Sequence, residues 1–153
     1  MDLLDESVVP EHAREVKREA REFADENIRP NAEEYFDSAE YPWDVLEAGM
    51  DAGLVAQDID EEYGGKGYDL EQILAINEEF YAADAGIALT LMLASFGCEI
   101  VEKYGTEEQK DEYLRPVAAN EQISGLAVSE PQTGSDMAGM TTTAERTDDG
   151  WVL

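Results

Sequence analysis

Cysteine and histidine are almost absent: the 153-residue chain holds Cys98 and His12 and no second residue of either type. A lone thiol cannot close an internal disulfide, and one thiol with one imidazole cannot build a Cys/His zinc site, so neither structural zinc nor another metal is expected. Lysine is scarce too, limited to Lys17, Lys66, Lys103 and Lys110. Long apolar runs are missing. The longest, Ile87 to Leu93, falls far short of the roughly 20 residues that span a bilayer. Met1 to Val9 carries Asp2, Asp5 and Glu6 and no basic residue, unlike the start of a secretory signal. These absences predict a soluble, cytoplasmic protein with no membrane insertion.

Acid is what the chain has in excess, with 37 Asp and Glu against 10 Lys and Arg and a net charge of -27. Such a surface repels phosphates, which argues against nucleic acid and anionic lipid as partners. Acidic disordered tails lack aromatics, whereas 7 Tyr, 4 Phe and 2 Trp are spread through this sequence among apolar runs, so the charge is assigned to a folded surface. Repulsion at this density weakens a compact state in dilute buffer. Salt relieves it by shortening the Debye length from about 10 Å at 0.1 M to about 3 Å at 1 M. A halophilic cytoplasm is the expected setting.

Periodicity then divides the chain. Ala13, Val16, Ala20, Phe23, Ala24 and Ile28 recur at helical spacing, and Pro30 ends or kinks that helix before Asn31 to Ser38. A short helix is expected from Pro42 to Ala52, a glycine-rich loop over Glu62 to Tyr68, and a helix over Asp69 to Ala83 with Leu70, Ile73, Leu74, Ile76 and Phe80 on one side. Gly86 to Tyr104 reads as one apolar helix at the buried centre of a bundle. Thr106 with Gln109 resembles a capping box for a helix that Pro116 closes. After that the period changes. Ile123 to Ser129 reads as a strand, Thr141 to Thr147 alternates, and Asp148-Asp149-Gly150 is a hairpin signal. The fold class is mostly α, with a helical domain over 1–120 and the first strands of a β-domain over 121–153. A chain stopping inside a strand leaves an unpaired edge, so a truncated, amino-terminal fragment is expected.

Ala127 to Asp136 is the chemically informative stretch. Pro131 fixes a turn, Gly134 lets the backbone approach a ligand, and Ser129, Thr133 and Ser135 supply hydroxyls. That suits a ligand carrying carbonyls or phosphates. The plainer alternative is a structural loop, since Ser, Pro and Gly are ordinary turn residues.

Ser129-Glu130-Pro131 followed after two residues by Gly134-Ser135-Asp136 resembles the acyl-CoA dehydrogenase signature. Two further segments familiar in that family stand in the right order: Ala52-Gly53-Leu54 with Glu61 to Gly67, and Tyr104 to Lys110 with Tyr113-Leu114. The resemblance implies a helical amino-terminal bundle followed by a β-barrel-like middle domain, with FAD bound where they meet. Leu126, Ala127, Val128 and Ser129 would line the flavin ring, and Gly134 and Ser135 would lie near the diphosphate, with Ser135 also touching the acyl-CoA substrate. The implied reaction is α,β-dehydrogenation of the thioester in fatty acid metabolism, a carboxylate taking the α-proton and a hydride passing to flavin N5. That base belongs to a carboxy-terminal helical domain absent here, so no catalytic residue is assigned and the chain alone is expected to be inactive. An electron-transfer flavoprotein is the implied acceptor, and a dimer or tetramer the implied assembly. Two departures bear on the flavin pocket: Leu126 replaces an aromatic residue of several relatives, and Gln132-Thr133 replaces a smaller pair.

Other candidates have quieter readings. Glu130 is assigned a structural task, orienting the turn through backbone hydrogen bonds. Carboxylate pairs such as Glu15 with Glu19 and Glu108 with Glu112 are solvated faces, His12 is exposed, and Cys98 is a small buried hydrophobe. Thr90, Leu91, Leu93, Ala94 and Phe96 are core by default, although the family's acyl pocket borders them. Met137 and Met140 either pack near the flavin or fill the domain seam. Two other functions stay open: an acyl-CoA oxidase or flavin monooxygenase of the same fold, and a non-catalytic acidic helical interaction domain.

Overall fold

The computed structural model describes residues 8–153, so most of the acidic stretch from Met1 to Val9 lies outside the described residues. α1 (Arg14–Phe23) opens the helical part after a 3-10 turn at Glu11–Ala13. Pro30 has no N–H to offer the carbonyl one turn back. The helix therefore widens to a π turn over Ala24–Ile28 and tightens to a 3-10 turn over Arg29–Asn31. Across this change of pitch the Asn31 side-chain amide donates to the Asn27 carbonyl at 2.8 Å. α2 (Ala32–Ser38) continues beyond it, and α3 (Trp43–Asp51) follows Pro42.

α4 (Leu70–Ala83) starts at Asp69, whose carboxylate accepts from the Gln72 N–H while the Gln72 side chain accepts from the Asp69 N–H. It packs along α1 on one side and against α5 (Ala85–Met92) on the other. Phe23 and Phe80 meet at the centre, ring centroids 5.5 Å apart. Around them Ala20, Ile28, Leu46, Ile76, Ile87, Leu91 and Leu114 are buried. Gly49 lets α3 come close: a Cβ there would stand 2.9 Å from the Leu91 side chain. α6 (Cys98–Tyr104) packs against α7 (Glu107–Ala118), which begins on the expected capping box of Thr106 and Gln109.

Five expectations are corrected. Gly86 to Tyr104 is two helices, α5 and α6, separated by turns where Gly97 takes a left-handed φ of +99°. This stretch is not wholly buried either, because Leu89, Leu93, Phe96 and Ile100 are exposed. On α4 the buried face is Ala75, Ile76, Glu79 and Phe80, while Leu70 and Leu74 face outward, since the contacts with α1 and α5 select a stripe one residue round from the apolar count. Pro116 lies inside α7, which runs on to Ala118. Residues 123–129 form no strand, having no neighbouring strand to supply the ladder. The hairpin does form, with β1 (Glu145–Thr147) antiparallel to β2 (Gly150–Val152) around Asp148 and Asp149.

Candidate functional site

Ser124 is the anchor of the segment that carries the candidate site. Its N–H donates to the Ala94 carbonyl at 2.7 Å and its hydroxyl to the Phe96 carbonyl at 3.1 Å. Those carbonyls are free because the helix is interrupted there. The break that the sequence pattern conceals is thus the docking point for the chain leaving α7. Leu126 then lies beside Gly97 and Ile100 over a groove of about 360 Å³.

A tight turn follows. The Glu130 N–H donates to the Thr133 carbonyl at 2.9 Å and the Thr133 N–H to the Glu130 carbonyl at 3.1 Å, with Pro131 and Gln132 at the tip. The proline presets its φ for such a corner. The Thr133 hydroxyl donates to the Asp136 carbonyl, which also accepts from the Gly139 N–H at 2.9 Å. The Glu130 carboxylate accepts from the Thr141 and Thr142 main-chain N–H groups, each at 2.9 Å. The Thr142 hydroxyl and these two N–H groups pull its pKa down to about 2. It is a fixed anion with no readiness to accept a proton at neutral pH, as expected for a structural role.

The assigned residues occupy the outside of this turn. Leu126, Ala127, Ser129, Gly134 and Ser135 are exposed and Val128 is half-buried. Among the described residues, no other main-chain group bonds the backbone at 126–129, Gly134 or Ser135, and the Ser129 and Ser135 hydroxyls have no partner. Nothing lies within 4 Å of where a Gly134 Cβ would stand. This is an open row of donors and acceptors at the seam between helices and hairpin. Of the residues beside the expected acyl pocket, Leu91 and Ala94 point into the core, while Leu93 and Phe96 are exposed. Met137 and Met140 are exposed as well.

The sequence model described as "Acyl-CoA dehydrogenase, N-terminal domain" matches residues 10–121. The chain belongs to the acyl-CoA dehydrogenase family. It is 34% identical over 140 residues to the 3-(aryl)acrylate reductase of Clostridium sporogenes, covering 90% of this chain and 37% of that protein. Glutaryl-CoA dehydrogenase of Desulfococcus multivorans is 30% identical over 142 residues, 90% of this chain and 36% of that one. Among solved structures, glutaryl-CoA dehydrogenase of Mycobacterium smegmatis in complex with FADH2 superposes with a TM-score of 0.84 at 28% identity, over 95% of this chain and 38% of its own. The chain thus spans well under half the length of these relatives.

Two features escaped sequence reasoning. Gln132 and Thr141 join the Glu130 network, signalled only by a run of threonines 11 residues after an acid whose carboxylate needs donors. His12, Asp69 and Glu71 bring ligand-type atoms within 4.8 Å of one another. All three are exposed and Asp69 already caps α4, so the group is a surface polar cluster joining the turn at Glu11–Ala13 to α4.

Proposed function

We propose that the chain is the amino-terminal part of an FAD-dependent acyl-CoA dehydrogenase, with residues 1–120 its helical domain and 121–153 the start of its middle β-domain. The carrying observation is the open face of the turn after Ser129, where unengaged main-chain groups and two free hydroxyls border a glycine that leaves room for a ligand. Bound FAD supplies a two-electron acceptor for α,β-dehydrogenation of an acyl thioester. Leu126 and the main chain of Ala127, Val128 and Ser129 would face its ring. Gly134 and Ser135 would bind its diphosphate by N–H groups and a hydroxyl, and Ser135 would also hold the acyl-CoA. None of these side chains can take the α-proton, and Glu130 is too weak a base. A carboxylate from a later domain fits that step. The halophilic, cytoplasmic setting, a place in fatty acid metabolism, an electron-transfer flavoprotein as acceptor and a dimeric or tetrameric assembly belong to the same reading. Among the described residues no helix is long and apolar enough to cross a membrane.

The test is to purify the complete gene product carrying these residues. It should show oxidised flavin absorption that acyl-CoA bleaches without oxygen, and turn over with an electron-transfer flavoprotein. A colourless protein indifferent to acyl-CoA would favour the acidic interaction domain, and rapid oxygen consumption an oxidase.

A further inference from the structure

Gln132, one of the two departures from the family's usual pair, closes the turn onto its own base. From the tip, its amide nitrogen donates both to the Glu130 carboxylate and to the Thr141 hydroxyl, the latter at 2.7 Å. The Thr141 hydroxyl in turn donates to Glu130 at 3.3 Å. Glu130 reaches forward to two successive N–H groups, one per oxygen, which fixes the direction of residues 141–142 relative to the turn. The Gln132 amide nitrogen, the Thr141 hydroxyl and the two N–H groups all turn toward the Glu130 carboxylate. Ser129, Gly134 and Ser135 are left facing out.

We propose that Glu130, Gln132 and Thr141 form a latch that sets the 129–136 turn in its ligand-binding shape before any ligand arrives, making Glu130 and Gln132 positioning residues for the flavin. The second half of this statement rests on the flavin reading above. Each bond is solvent-exposed and weak alone, but several donors converging on one carboxylate restrain the turn jointly. A turn ordered in advance spares the ligand that ordering cost, so the latch should appear in flavin retention.

The experiment uses the complete gene product and its Glu130→Ala, Glu130→Gln, Gln132→Ala and Gln132→Glu variants. Three quantities are read: hydrogen exchange of the peptide holding Thr141 and Thr142, the rate of flavin loss, and the thermal midpoint. Glu130→Ala should speed both exchange and flavin loss about tenfold with the midpoint nearly unchanged. Glu130→Gln, which keeps one acceptor oxygen, should recover part of both. Gln132→Ala should act in the same sense by about fivefold. Gln132→Glu should match or exceed it, because a second carboxylate then faces Glu130. Unchanged exchange in Glu130→Ala sinks the latch whatever the flavin does. Faster exchange with unchanged flavin loss leaves a structural turn and overturns the positioning role. A wild type that holds no flavin removes the positioning role by removing the flavin reading itself, while exchange still reports on the latch.

Discussion

Lys17 is 3% exposed, and its ammonium lies between the Glu78 and Glu79 carboxylates, 2.9 Å from the latter. Arg21 also pairs with Glu79 at 2.9 Å. Burial opposes the charge on Lys17, but the two carboxylates outweigh it and raise its pKa. Burial likewise works against a charged Glu79, and Arg21 and Lys17 more than compensate, so its pKa is lowered. The signs give opposite windows. Glu79 contributes stability above the ordinary glutamate range and loses it as pH falls, whereas Lys17 contributes below the lysine range and loses it only as pH rises past it. Lys17→Ala should cost about 3 kcal/mol in urea unfolding, because it strands buried carboxylates. A loss below about 1 kcal/mol would show the pair to be solvated. The sequence reading counts Lys17 only among the scarce lysines, whereas the structure puts it on the buried side with Ala13, Val16 and Ala20. Its partners, 61 and 62 residues further on, left no local trace.

At the scale of elements, the sequence pattern reports which segments are helical but not where the tertiary fold interrupts them. Thr106 announced its helix, because a cap is chemistry between residues three apart, and the same box at Asp69 and Gln72 emerged only in the structure. The division of 86–104 was hidden because every residue around it is apolar or small and only Gly97 marks the corner. Replacing Gly97 isolates the backbone term, since an added Cβ would meet its nearest atom, the Gly125 carbonyl oxygen, at an ordinary 3.6 Å. Gly97→Ala is therefore expected to cost about 1–2 kcal/mol by thermal unfolding, the penalty of a left-handed residue with a side chain. A neutral result would mean the corner needs no glycine. Thr106→Ala should cost about 1 kcal/mol through loss of the α7 cap. The strand read at 123–129 failed for a complementary reason: a strand needs a neighbour to complete its ladder, and among the described residues the only sheet is the β1–β2 pair, which this segment does not join.

Across the whole molecule the net charge of -27 outweighs any single ion pair. Raising potassium chloride from about 0.1 M to about 1 M should raise the thermal midpoint by screening that repulsion. A flat or falling curve would place the acidic surface outside any halophilic explanation. The helical architecture was legible because its caps and apolar stripes are local, and the turn after Ser129 because proline and glycine mark turns. The inward latch was not legible, since it depends on which way Gln132 and Thr141 fold back. The most direct measurement is a structure of the complete gene product with its prosthetic group. The expected result is an FAD whose ring and diphosphate accept hydrogen bonds of about 3 Å from main-chain N–H groups between Leu126 and Ser135. Flavin seated away from that turn, or no flavin at all, would contradict it.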